Sequence, residues 1–245
     1  MNVALIMGRG GSKSIPGKNV MPVLGRPLVI YPLLAALHAR RIDQVVVTSD
    51  CPGIQRVATE LKVRFIRRPD DISHDTAQMV DGILHALQEI GGTVEHLVTL
   101  HANCATHAAG LIDRCIARLE ADPSADSCVS GVIDRSVHPY RTRKLTADGW
   151  LEPWNEVPAY TSSNRQALDP CVILDGAARA MRVNSCIPAN GSAPFPYLGR
   201  KILLEENPGG RDVHDEDDIL LTERYLLRQG WTDTTLPKHL HHSGT

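Results

Sequence analysis

The sequence predicts a three-layer α/β fold built on a mainly parallel, mixed sheet. Two observations carry the prediction. Short apolar, β-branched runs alternate with segments of helical period through the first 120 residues, the rhythm of parallel strands covered by helices on both faces. A length of 245 residues suffices for one substantial core with a small elaboration.

In chain order, Val3–Met7 is a buried strand and Pro27–Arg41 ("PLVIYPLLAALHARR") a helix with an apolar stripe. Pro32 marks a kink in that helix or a later start. Gln44–Ser49 is a second strand, followed by a helix near Pro52–Leu61 and a short strand at Val63–Ile66. Thr76–Ile90 carries a helical stripe through Met79, Ile83, Leu84 and Leu87. His96–Leu100 is a strand, Ala108–Leu119 a helix and Ser127–Ile133 one more strand. "HPYRTRKLTADGWLEPW" predicts a hairpin turning at Asp148-Gly149, and residues 130–200 predict an insertion that rims a site or makes a partner contact. Asp217–Arg228 closes the fold as a helix, acidic first and basic last as the macrodipole prefers. The domain expected is 1–232, with 134–170 as hairpin insertion and 233–245 as a polar tail.

Composition narrows the function. Hydrophobic content of 42%, charged content of 22% and a net charge of −2 describe an ordinary globular protein and give no reason to expect nucleic acid or membrane as partner. Six cysteines without a C-x-x-C pair argue against a zinc site or disulfide scaffold. With no basic, apolar leader at the N-terminus, the expectation is a reduced, cytoplasmic protein. The terminal "KHLHH" is a frayed tail rather than a metal site.

The chemistry begins in "ALIMGRGGSKSIPGKN", where the first strand breaks into a loop holding Gly8, Gly10 and Gly11 with Arg9, Lys13 and Lys18. Ligands of parallel sheets bind at the carboxyl edge, in such turns. Glycines let the backbone present N–H groups to oxygens while the cations neutralise a polyanion. The Walker pattern fails because Gly17-Lys18 is followed by Asn19, and the Rossmann pattern because Lys13 stands where its last glycine belongs. Asp50, after the second strand, only superficially suggests a dinucleotide ribose ligand. Three cations fit a nucleoside triphosphate better than a pyrophosphate.

"GRGGSKSIPGKN" resembles the opening motif A-R-G-G-S-K-x-I-P-x-K-N of the acylneuraminate cytidylyltransferases, the CMP-acid-sugar synthetases, from Arg9 to Asn19, with glycine for alanine at Gly8. Further matches follow in order: "LGRPLVIYPLLAAL", "VVVTSD", "RRPDDISHDTAQMVDGILHAL", "HPYRTRKL" and "RDVHDEDDILLTE". The resemblance implies a Rossmann-like nucleotide-diphospho-sugar transferase fold and a reaction in which an acceptor oxygen attacks the α-phosphate of CTP and expels pyrophosphate. Such transfer is mostly positioning and charge neutralisation. The family's pattern places the Gly8, Gly10 and Gly11 backbone with Arg9, Ser12 and Lys13 on the phosphates. Lys18 and Arg9 take the catalytic charge-stabilising roles, Asn19 contacts ribose or phosphate, and Arg68 lies near cytosine. Asp75-Thr76 matches a nucleotide-binding S-D-T element whose serine is His74 here.

The same resemblance implies Mg²⁺ (Mn²⁺ tolerated) on a D-x-D element. Asp212 fills its first position and His214 its second, with Asp215 or a water as alternatives. It also implies a homodimer whose hairpin reaches the neighbouring site. On the acceptor side the chain departs from the pattern. The family's L-Q-P-T-S-P-L-R segment reads Leu100-His-Ala-Asn-Cys-Ala-Thr-His107, bringing His101 and Asn103. Its N-G-A-x-Y segment reads Asp175-Gly-Ala-Ala-Arg179. Amides and aromatics exchanged for His101, Asp175 and Arg179, with Arg165, Arg141, Arg143 and Lys144 nearby, suit a compact anion. The expected function is therefore CMP transfer to a small acid such as phosphonoformate. The alternatives are a keto-acid sugar of the sialic acid or Kdo type and a non-catalytic nucleotide-binding homologue.

Overall fold

The computed structural model describes residues 1–12, 15–187 and 189–240. Its central sheet has seven strands, in spatial order β11-β7-β10-β6-β1-β4-β5. These are β1 (Asn2–Met7), β4 (Gln44–Ser49), β5 (Arg64–Arg67), β6 (His96–His101), β7 (Ser127–Ile133), β10 (Val172–Arg182) and β11 (Ile202–Glu206). All run parallel except β10, which lies antiparallel between β6 and β7. Two small ladders complete the strands: β2 (Pro22–Val23) with β3 (Arg26–Pro27), and β8 (Arg143–Leu145) with β9 (Leu151–Pro153).

The helices are α1 (Ile30–Leu37), α2 (Pro52–Glu60), α3 (Met79–Ile90), α4 (Leu111–Ala121), α5 (Val183–Cys186) and α6 (Glu216–Arg228). The period-2 geometry of β1 divides the core. Ala4 and Ile6 pack with Leu33 of α1, Ile54 and Val57 of α2 and Ile116 of α4. Val3, Leu5 and Met7 pack with Ile83 and Ala86 of α3 and with Tyr197. Each helix contributes the apolar stripe its spacing predicts, and the sheet is covered on both sides. None of the described helices is long and apolar enough to cross a membrane.

Four expectations are corrected. The helix read at Pro27–Arg41 starts at Ile30, because Arg26–Pro27 pairs as β3. Pro32 then falls in the first turn, where its missing N–H would have no intrahelical partner anyway. The helix read from Thr76 starts at Met79, after an extended Gln78, and Leu84 faces solvent, 38% exposed. Third, residues 130–200 are not one insertion: Val172–Arg182 is a strand inside the sheet. The fourth is β11, absent from the sequence reading; its parallel pairing with β7 adds an edge strand. Between them the hairpin turns where predicted, with Gly149 at φ +83°, a left-handed conformation that glycine adopts without strain.

Candidate functional site

The register fixes the site. Met7 lies level with Thr48 on one side and His101 on the other, so β1, β4 and β6 end together. The chain runs outward from β1 to β4 and β5, then returns to β6 on the opposite flank. A crevice opens at that reversal of strand order, as expected for an open α/β sheet. The cleft, about 260 Å³, takes Arg9, Ser12, Lys18 and Asn19 from the glycine loop. Arg68 comes from the end of β5, His74, Asp75, Ala77, Gln78 and Met79 from the approach to α3, and His101 and Asn103 from the end of β6.

The loop is pinned from several sides. The Gly10 N–H donates to Asp50 Oδ1 at 2.8 Å, so Asp50 holds the loop rather than a ribose. Buried Asn19 donates from Nδ2 to the Arg9 carbonyl at 2.9 Å, and its own carbonyl receives the Val29 N–H. Gly8 packs so closely that a Cβ there would lie 2.6 Å from Ala102 Cβ. Gly11 has no neighbour within 4 Å of such a Cβ and opens outward. Arg9 pairs with Asp75 across the cleft. Lys13 lies outside the described residues.

Lys18 Nζ donates to the Val213 carbonyl at 2.7 Å, and Asn103 Nδ2 to the same oxygen at 3.0 Å. The loop is thereby tied to the segment before α6. Burial pushes the Lys18 ammonium below its ordinary range, while the Asp212 charge pulls it back up. The ammonium thus gains from any anion entering the cleft. Arg68 is buried, donates from Nη2 to the Thr48 carbonyl at 3.0 Å, and has its affinity for the proton lowered by burial.

Asp212 is held on both oxygens. Its Oδ1 accepts the Gly176 N–H at 2.8 Å and its Oδ2 faces His101 Nδ1 at 3.0 Å. Burial alone would raise its pKa; the His101 hydrogen bond and charge, the Gly176 N–H and the Arg179 charge overcome this and hold it at about 2. The arrangement requires glycine at 176, where a Cβ would stand 2.4 Å from His101 Nδ1. Gly176 lies in a bulge of β10, where the register with β7 shifts between Leu174 and Arg179. The three bulge amides are satisfied in turn by Asp212, Asp175 and Ser130.

Several expected ligands therefore take other places. The Asp175 carboxylate is buried and used within the fold, accepting from Ser130 Oγ, from the Ala177 N–H and from Asn207 Nδ2. It builds the bulge instead of meeting an acceptor. Arg179 is buried behind Met79, and its guanidinium meets Tyr197 Oη at 2.6 Å. Arg165 is exposed on a turn beside Asp134, off the cleft of its own chain. Thr76 is exposed and bonds His74. Positioning roles fall to Gly176 and Thr106, which lie in the compared segments but were given no role, and to Ser130 and Asn207, which no motif covers; the Asn207-Pro-Gly-Gly run is the one local signal of a special backbone.

Among the described residues no three of His, Cys, Asp and Glu gather as a metal cluster. His214 is exposed, and its N–H bonds Asp218 Oδ2 at 2.9 Å. Asp215 caps α6, accepting the Asp218 N–H at 2.9 Å. Of the expected ligands, Asp212 best fits a cation: an ionised carboxylate within electrostatic reach of Lys18, the hard oxygen donor that Mg²⁺ takes.

A sequence model of the cytidylyltransferase family matches residues 3–147, from β1 through β8. The chain belongs to that family. It is 37% identical over 106 residues to the pseudaminic acid cytidylyltransferase of Campylobacter jejuni, covering 41% of this chain and 45% of that relative. It is 33% identical over 85 residues to the N-acylneuraminate cytidylyltransferase of Escherichia coli, covering 35% and 20%. The chain therefore spans less than half of either relative. With the CMP-N,N'-diacetyllegionaminic acid synthase of Legionella pneumophila it shares 32% identity over 232 residues, covering 91% of this chain and 95% of that one. Solved structures share the fold. A CMP:2-keto-3-deoxy-manno-octonic acid synthetase superposes with a TM-score of 0.68 at 13% identity, over 94% of this chain and 99% of that one. The 4-diphosphocytidyl-2C-methyl-D-erythritol synthase of Anaerococcus prevotii gives 0.64 at 12%, over 93% and 98%.

Proposed function

We propose that this chain transfers CMP from CTP to an acid sugar, releasing pyrophosphate. The observation that carries the reading is the tie between the cationic loop and the segment before α6, which brings the cleft's Lys18 within electrostatic reach of Asp212. Arg9, Ser12 and Lys18, with loop amides, receive the triphosphate; Arg68 faces the base. Mg²⁺ carried in by the nucleotide and held by Asp212 would supply charge neutralisation on the phosphates. The acceptor enters beside His101 and Asn103, its oxygen bonds to the α-phosphorus, and the bond to the bridging β-phosphate oxygen breaks. As that charge leaves, the half-buried Lys18 stabilises it.

Relatives that name their acceptors name acid sugars, so a nine-carbon keto-acid sugar takes precedence over phosphonoformate. One of the substitutions that favoured a compact anion also carries less weight, since the Asp175 carboxylate is used within the fold. The test offers CTP, Mg²⁺ and, in turn, sialic, pseudaminic and legionaminic acids, Kdo and phosphonoformate, following pyrophosphate. Release with an acid sugar supports the reading, and release with phosphonoformate alone reverses the order. CTP binding without release from any acceptor leaves a non-catalytic homologue. With the true acceptor, Lys18→Met is expected to lower kcat by roughly 10²–10³-fold. The exposed hairpin supports a homodimer.

A further inference from the structure

Arg179 is a buried cation without an ion-pair partner, acted on by the Asp212 carboxylate only through space. It is 4% exposed, and among the described residues no carboxylate pairs with it. Its Nη1 meets a neutral phenol, Tyr197 Oη at 2.6 Å, and a thioether, Met79 Sδ at 3.8 Å. The guanidinium carbon stands 5.0 Å from the Phe195 ring centroid, and buried Nε has no partner. Arg182, three residues along the same strand, shows how a structural arginine is satisfied in this fold: it donates to the carbonyls of Ala125 and Leu119. A guanidinium carries five donors, and burying them short of acceptors is costly unless a ligand completes the set.

Met79 is what separates Arg179 from the cleft. It lines the cleft beside His101 and Arg68, and its sulfur also receives the Tyr197 hydroxyl at 3.1 Å. An unbranched thioether changes rotamer readily and makes a weak acceptor. Met79 is also the first residue of the 12-residue α3, whose free N–H groups and positive end favour an anion at the same place. The geometry points to a closed acceptor subsite: Met79 swings aside, and the acceptor's carboxylate takes its place against Arg179, the Tyr197 hydroxyl and the start of α3. The inference rests on the proposed transfer to an acid sugar and names the group by which that acid is held.

Two arms test it. In turnover, Arg179→Met is expected to raise the acceptor KM by roughly 10–100-fold while the KM for CTP changes less than about 3-fold; Arg179→Lys falls between. Wild type prefers the acid to its methyl ester, and Arg179→Met loses that preference. In binding, calorimetry with pyruvate as a keto-acid probe, in the presence of CMP, shows Arg179-dependent heat that Met79→Ala strengthens. A purely structural arginine would instead lower Tm and leave both the ester preference and the pyruvate heat unchanged, which would overturn the subsite. If no acceptor releases pyrophosphate, the proposed transfer fails, and the binding arm alone decides the subsite. Absence of Arg179-dependent heat rejects it even where turnover is found.

Discussion

At the scale of single residues, the site depends on contacts too short for any substitute. A Cβ at Gly176 would stand 2.4 Å from His101 Nδ1 and 2.6 Å from Asp212 Oδ1, so Gly176→Ala must part that pair or move β10. We expect a loss of about 1–3 kcal/mol with a matching fall in activity, whereas Gly11→Ala, facing open space, leaves Tm unchanged. Asp212 gives a pH signature. Its carboxyl is held at about 2 in the fold, against about 3.9 in an unfolded chain. A depressed folded pKa stabilises above the unfolded value and is lost as pH falls through the folded one. The expected contribution is roughly 2 kcal/mol, present above pH ~4 and fading toward pH ~2. Acid-unfolding curves of wild type and Asp212→Asn check this: the variant should show a flatter decline in that window, and parallel curves would refute it.

At the scale of elements, the sequence disclosed what is periodic and concealed what is not. The strands β1, β4 and β6 and the helices α2, α3, α4 and α6 were legible because buried parallel strands read as continuous β-branched runs and covering helices as stripes. The strand β10 was missed because "VILDGAARAMR" breaks period 2 at its bulge and carries buried Asp175 and Arg179, which a pattern reading assigns to a loop. The glycine loop was legible from local composition as a cation-rich break after β1, and the phosphate grip proposed for it rests on that composition. The partner pairs Lys18–Val213 and His101–Asp212 lie 195 and 111 residues apart, and no spacing rule reports them. The N-terminus of α6 separates two readings of its acidic run. Asp215 accepts the Asp218 N–H as a cap, so Asp215→Ala should cost about 1 kcal/mol, read as a lowered Tm. The Mg²⁺ concentration giving half-maximal rate should stay unchanged; a large shift in it would make Asp215 a metal ligand instead.

At the scale of the whole molecule, the surface is uneven. The β8–β9 hairpin and its return expose Leu145 (72%), Trp150 (73%), Leu151 (69%), Trp154 (61%) and Tyr160 (101%). Scattered apolar residues are ordinary on a surface, but large ones grouped on one projecting element mark an interface. Both strands are three residues long and fully exposed, and an isolated two-stranded ribbon is marginal in water. A second copy of the chain is the partner expected from the family resemblance, and it would cover these side chains while bringing Arg141, Arg143 and Lys144 toward the neighbouring cleft. We therefore expect light scattering to report a dimer. Replacing residues 142–154 with a short Gly-Ser turn should give a monomer. Because Lys18, Arg68 and Asp212 lie in the segments after β1, after β5 and before α6, and not on the hairpin, that monomer should still bind CTP, with acceptor turnover reduced. A wild-type monomer would refute the interface. A dimer that survives the replacement would move the contact elsewhere, to the apolar side chains that α6 leaves exposed, Leu220 and Leu227.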